Sequence, residues 1–254
     1  MTIVWVAVSV FRESVRDKVL YSLVLFAVLL MAASYLIGQL TAGQDVKIIK
    51  DLGLAAISVI GLLMAVFIGI GLVWKEVERR SIYSLLAKPI RRSEFILGKY
   101  AGLALTLLVN VALMTVAYYA VLAYMARSID PALLAGVGLI LVELLVVTAV
   151  ALCLSTFSSP FLSAVLTLAL WVIGSFNADL RDFGAVTDSR AAAWLARGLY
   201  YVLPNFSAFD VKLQVVHGLP VPWSYIGTTV AYGATYIALL LAAAVAIFSR
   251  RDFK

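Results

Sequence analysis

The sequence predicts an all-α membrane protein with six transmembrane helices, an N-terminal interfacial helix, a cytoplasmic helical loop and short outer-leaflet helices between the fifth and sixth spans. Three observations carry that prediction. Of 254 residues, 64% are hydrophobic and 13% charged, against roughly 45–50% and about 25% in soluble domains; mean hydropathy is +1.04. Apolar runs recur at lengths that cross a bilayer, where only a helix satisfies its own backbone. Basic residues gather on one side of those runs, which fixes an orientation.

The chain reads as one transmembrane domain, 1–254. Residues 3–18, IVWVAVSVFRESVRDK, pair an apolar half bearing Trp5 and Phe11 with Arg12, Glu13, Arg16, Asp17 and Lys18. That pattern suits a helix lying in the cytoplasmic interface; the alternative is a helical extension of the first span. The spans fall at about 19–38, 52–74, 101–125, 132–155, 159–177 and 225–248. The stretch 39–51 reads as a short polar loop, and 126–131 and 156–160 as tight turns, with Pro131 suited to a first helical position. Residues 178–224 form the longest non-spanning stretch and are expected outside the cytoplasm. Arg197 and Pro204 keep AAAWLARGLYYVLP too short to cross. Its aromatics (Trp194, Tyr200, Tyr201, Phe206, Phe209 and Trp223) suit the outer headgroup belt. Short helices dipping into the outer leaflet and an ordinary folded external loop both fit.

Six spans put both termini on one side. The N-terminal segment, residues 75–99 and the tail hold 13 basic residues and a net charge of +7, while the opposite side nets 0. Both termini are therefore expected in the cytoplasm. The pI near 9.4 reflects this membrane topology, not nucleic acid.

Several chemistries are excluded. The one cysteine, Cys153, rules out a disulfide within the chain and reads as a small packing residue. The apolar start precedes its charges, the reverse of a cleavable signal. One histidine, His217, cannot ligate two haems, and no zinc-protease HExxH or GxSxG nucleophile turn occurs. Gly98-Lys99 is not a phosphate loop, since Ser93 and Tyr100 stand where that motif needs Gly and Ser or Thr. No metal site and no catalytic residue is predicted. Glu143 is the one ionisable group inside a span, with Asn110 of the third span as a polar companion. It is either a functional intramembrane site or a structural hydrogen-bonding group kept in an apolar setting. No span carries a polar stripe to line a channel. Small residues four apart, Ala65 with Gly69 and Gly98 with Gly102, have the spacing of close helix contacts between chains.

Residues 75–99 read KEVERRSIYSLLAKPIRRSEFILGK and hold seven of the twenty Lys and Arg residues. Glu76 and Arg80 pair along a helix face. Ile82, Tyr83, Leu85 and Leu86 form its apolar patch. Lys88 and Pro89 end it, Arg91 and Arg92 follow, and Ser93 can cap the next helix. Such an amphipathic helix inserts into a partner's groove or lies on lipid. Topology alone accounts for the charge, but not for the apolar positions or the proline.

The stretch resembles the cytoplasmic loop of ABC-2-type ABC transporter permeases, the transmembrane subunits, and in particular the branch serving nitrous-oxide-reductase maturation. That branch carries E-x-E-R-G-T-L-x-x-L-L-S-[RK]-P-[VI]-x-R, then an aliphatic run and G-K. Matching positions here are Glu76, Glu78, Arg79, Ser81, Ile82, Leu85, Leu86, Lys88, Pro89, Ile90, Arg92, Gly98 and Lys99. Arg80 stands where the family often has glycine, and Ser81 replaces threonine. The Tyr200–Phe206 stretch YYVLPNF and the ending FSRRDF also fit.

The resemblance implies that residues 75–100 form a coupling helix docking on a separate ABC ATPase. Glu76, Glu78, Arg79, Arg80, Ile82, Tyr83, Leu85, Leu86, Lys88, Pro89, Ile90, Arg91 and Arg92 would make that interface. It further implies two ATPase copies that bind the ATP and Mg, a second permease chain forming a homodimer, and a multi-pass place in the plasma (inner) membrane among lipid. The chain itself would be no enzyme and would need no cofactor. It would export or reposition a substrate; the alternative is a structural or mechanotransmitting subunit with little or no transport.

Overall fold

Wherever a chain crosses lipid it must close its own backbone hydrogen bonds, and the architecture follows that constraint. A computed structural model of the protein describes residues 2–16, 18–39, 45–78, 91–125, 130–177 and 203–249, together with positions 194, 198 and 200. Among the described residues every regular element is helical. In chain order these are α1 (Thr2–Val15), α2 (Lys18–Gln39), α3 (Asp45–Glu78), α4 (Arg92–Met125), α5 (Ala132–Ser155), α6 (Pro160–Ser175), a 3-10 turn (Phe206–Phe209), α7 (Lys212–Val216) and α8 (Trp223–Ser249). Four stretches are long and apolar enough to cross a membrane: Val46–Ile70 of α3, Arg92–Tyr124 of α4, α5 and α8. The first and fifth expected spans appear as shorter apolar stretches, Tyr21–Ala33 within α2 and Pro160–Ser175.

Helix ends match the expected spans closely except around α3 and α4. There the helices run on through charged sequence, so that Asp45–Asp51, expected as loop, is the first part of α3. Hydropathy marks contact with lipid, whereas a helix stops only at a residue that breaks it. Lys47, Lys50 and Asp51 leave the apolar window without breaking anything. Similarly α4 begins at Arg92 and not at Ser93, which lies in its first turn. Glu94, three residues into α4, accepts a long 3.4 Å contact from the Arg91 N–H, half of a capping box. Pro131 occupies the N-cap of α5, one position earlier than expected. Ser159 caps α6, accepting from the Leu162 N–H ahead of Pro160.

Helices α3 and α5 make the centre of the bundle. Burial covers 78% of the apolar window of α3 and 72% of that of α5, against 17% for α8. The sequence of α5, LLAGVGLILVELLVVTAVALCLS, is apolar on every side, as a surrounded helix requires. Helix α3 packs on α2, α4 and α5, while α5 also meets α6 and α8. Leu25, Phe26 and Leu29 of α2 and Leu239 of α8 are exposed on the outside, which suits a lipid-facing surface.

Helix α1 separates from α2 at a turn on Arg16 and packs along the start of α4. Gly98 and Gly102 allow the approach. A Cβ on Gly98 would lie 2.7 Å from Val6 Cβ, and one on Gly102 would lie 2.6 Å from the Ala7 carbonyl oxygen. The other small-residue pair also works inside the chain. Ala65 is fully buried, and a Cβ on Gly69 would sit 2.9 Å from Ala151 Cβ. Both pairs set helix-to-helix distances within one chain, where close packing replaces the hydrophobic drive that lipid removes.

At the end where α3 and α5 begin, a closed polar knot joins three helices. Lys50 Nζ meets Asp130 Oδ2 at 2.8 Å. Tyr118 donates to the Lys50 carbonyl at 2.8 Å and Tyr119 to the Asp130 carbonyl at 2.9 Å. Asp130 Oδ1 accepts from the Ala132 N–H at the start of α5. The Lys50 hydrogen bond holds the Asp130 carboxyl below the usual carboxylate range, with burial opposing and the Ala132 N–H assisting.

The described part of the long 178–224 stretch enters the bundle instead of lying over it. Phe206 packs beside Gly174 of α6, Phe209 is wholly buried, and Val215 lies against Gly136 of α5. Residues 191–193, 195–197, 199 and 201–202 of the expected AAAWLARGLYYVLP helix lie outside the described residues.

Candidate functional site

Two sets of residues were singled out by sequence: the charged loop, and the polar pair Asn110 and Glu143. Of the loop, Arg79, Arg80, Ile82, Tyr83, Leu85, Leu86, Lys88, Pro89 and Ile90 lie outside the described residues. Glu76 and Glu78 fall in the last turns of α3, and Arg91 and Arg92 stand at the entrance to α4. The loop is therefore bracketed by the two longest described helices, each of 34 residues, while α5 has 24. At 1.5 Å per residue that difference is about 15 Å of helix. About 20 residues cross the hydrocarbon core, so each of these helices exceeds that length.

Arg91 is exposed, but Arg92 reaches inward. Its Nη1 donates to the carbonyl oxygens of Ser249 at 2.8 Å and Phe248 at 3.2 Å, the end of α8. Helix C-termini leave carbonyls without intrahelical donors and carry partial negative charge, so a guanidinium is a complementary cap. One turn on, Phe95 stacks on Phe248 with ring centroids 5.9 Å apart. Lys99 is fully buried and lies 4.6 Å above the Phe95 ring, within cation–π range. The start of α4 thus binds the end of α8 through a charged cap and a ring stack, and binds α1 through its glycines.

Glu143 and Asn110 make separate hydrogen bonds. Glu143, 5% exposed at the middle of α5, accepts a hydrogen bond from Trp171 Nε1–H of α6 at 2.7 Å. Asn110 Nδ2 instead donates to the Thr106 carbonyl of its own helix at 2.8 Å. A buried indole N–H needs an acceptor, so Trp171 in the middle of the fifth span was a signal that could have been matched to the lone carboxylate. The partner of Arg92 had no such signal: a capped carbonyl belongs to the backbone and leaves no trace in side-chain type.

His217 is exposed at the end of α7, its Nδ1 2.9 Å from the Leu213 carbonyl oxygen, and Cys153 is buried in α5. Among the described residues no group of three His, Cys, Asp or Glu side chains is placed to hold a metal ion.

The sequence model described as ABC-2 family transporter protein matches residues 4–253. No curated protein matches the chain.

Proposed function

The chain belongs to the ABC-2 family of transporter proteins, and from that premise we propose that it couples ATP hydrolysis on a separate ATPase to the export or repositioning of a substrate. Membership makes it an integral membrane permease subunit of an ABC transporter. Our reading goes further in four respects. The chain crosses the membrane six times with both termini in the cytoplasm. Residues 75–100 form the coupling loop that docks on the ATPase. Two ATPase copies, which bind the ATP and Mg, serve a homodimer of this permease. Within the family it stands with the permeases of nitrous-oxide-reductase maturation.

One observation carries the docking assignment: on the loop side, α3 runs on to Glu78 and α4 starts at Arg92, beyond the expected spans that end at 74 and begin at 101. A loop that only joined two spans would need no such stalk. Its apolar positions, Ile82, Leu85 and Leu86, amid Arg and Glu match an interface with an apolar core and polar rim. A second reading, mechanical transmission to a partner across the membrane with little transport, is favoured by the burial of Phe206 and Phe209. That burial makes the far-side segment part of the moving bundle.

The test is co-purification from native membranes. A P-loop ATPase should stay bound to the wild-type chain in mild detergent and be lost from Leu86→Asp and Pro89→Ala variants that remain folded. If the wild-type chain retains no P-loop ATPase, or both variants retain it fully, the coupling assignment fails. Vanadate-sensitive ATP hydrolysis by the purified complex, with and without substrate movement into vesicles, separates transport from transmission.

A further inference from the structure

Helix α8 is the least embedded of the four membrane-crossing stretches, yet polar contacts fix it at both ends. At one end, Arg92 Nη1 holds its last two carbonyls and Phe95 stacks on Phe248. At the other, Tyr225 donates to the Ala208 carbonyl at 2.7 Å, and the Asn205 N–H donates to the Tyr232 hydroxyl at 2.8 Å. Phe209 lies 6.1 Å from the Tyr232 ring, and a Cβ on Gly233 would be 2.7 Å from Val142 of α5. From Tyr225 to Ser249 the helix is unbroken, a length of about 36 Å at 1.5 Å per residue.

We propose that α8 is a connecting rod, with Arg92 as its positioning residue: displacement at the entrance to α4 is delivered along α8 to the inserted segment 205–209 on the opposite side. This rests on the coupling assignment above for what drives the displacement, but the rod itself is a property of the chain alone. Three features make the route physical. A helix is stiff along its axis. Its fixings at both ends are charge-assisted, hydrogen-bonded or aromatic. Between them α8 shows a mostly exposed face, with Gly233 as its close approach to α5.

Residue-resolved hydrogen exchange on the full chain in lipid nanodiscs tests it without the ATPase. In Arg92→Gln the amides of the last turn of α8 should exchange at least tenfold faster. The Asn205 amide, bonded to Tyr232 about 26 Å along the helix from Ser249 at the same rise, should accelerate at least threefold. Arg92→Lys, which keeps the charge but loses the fork, should restore part of both effects and serves if the glutamine variant fails to fold. Tyr232→Phe should release the Asn205 amide alone. An unchanged last turn, or an Asn205 amide that ignores Arg92 while responding to Tyr232, overturns the rod. Failure of the coupling assignment looks different, because there the wild-type chain would retain no ATPase while these exchange rates still changed as stated.

Discussion

The two ends of the bundle solve the same problem in opposite ways. Where α3 and α5 begin, the charges answer one another: Lys50 meets Asp130, and two tyrosine hydroxyls occupy the adjoining carbonyls. That side nets 0 by sequence. Where α4 begins, one arginine is turned inward to cap α8, while the neighbouring Arg91 stays exposed in a stretch of strong basic surplus. The first end is a closed knot that holds three helices. The second is an open joint that holds α1, α4 and α8 and has charge left over.

The contrast can be broken first at the joint. Gly102→Leu would drive a side chain into the Ala7 carbonyl and Val10, at a cost of about 3 kcal/mol for an overpacked site with no room to relax. It should appear as a lower detergent melting temperature and a broadened size-exclusion peak. An unchanged melt would mean that α1 is not seated there. Second, if the surplus serves a partner, Leu86→Asp should weaken ATPase retention about thirtyfold, the roughly 2 kcal/mol of an interface hot spot. The melting temperature of the permease should stay at the wild-type value; a matching fall in melting would place Leu86 in the internal packing.

Midway between the ends, Trp171→Phe strips Glu143 of its indole donor. Hydrogen bonds between membrane helices average about 0.6 and reach about 1.7 kcal/mol, so a loss of about 1 kcal/mol is expected. ATPase retention should be unaffected, and an equal loss in retention would tie this bond to the joint. Smallest is the knot. Its ion pair is part-exposed, at 12% and 26%, so Asp130→Asn should cost about 0.5 kcal/mol at neutral pH. The sign follows from a folded-state pKa held below the unfolded value. The contribution is complete above the unfolded pKa near 3.9 and fades as pH falls through the folded value. Melting measured from pH 6 down to pH 3 should therefore converge for wild type and Asp130→Asn; parallel curves would show that the pair contributes nothing.

What the sequence carried and what it withheld divide along physical lines. Helix α5 was legible at both ends, Ala132 and Ser155, because the transition from lipid-compatible to turn residues is abrupt there. The charged prolongations of α3 and α4 were not, since hydropathy records solvent preference and is silent about helices that continue into water. The resemblance to the family rests on the motif residues between Glu76 and Lys99, with YYVLPNF and FSRRDF. Glu143 stood out as costly, but its partner came only from the fold, as did the separate bonding of Asn110. Gly98 and Gly102 have a contact-forming spacing, but small residues announce that two backbones meet without saying whose.

The cap on α8 has a practical corollary for anyone handling the protein. With the Ser249 carbonyl hydrogen-bonded to Arg92 at 2.8 Å, position 249 is held at the first turn of α4. A purification handle fused after Lys254 would be tethered within a few residues of the surface assigned to the ATPase. A bulky C-terminal fusion should therefore mimic a docking defect, and a handle placed elsewhere is the proper control for every retention measurement described above.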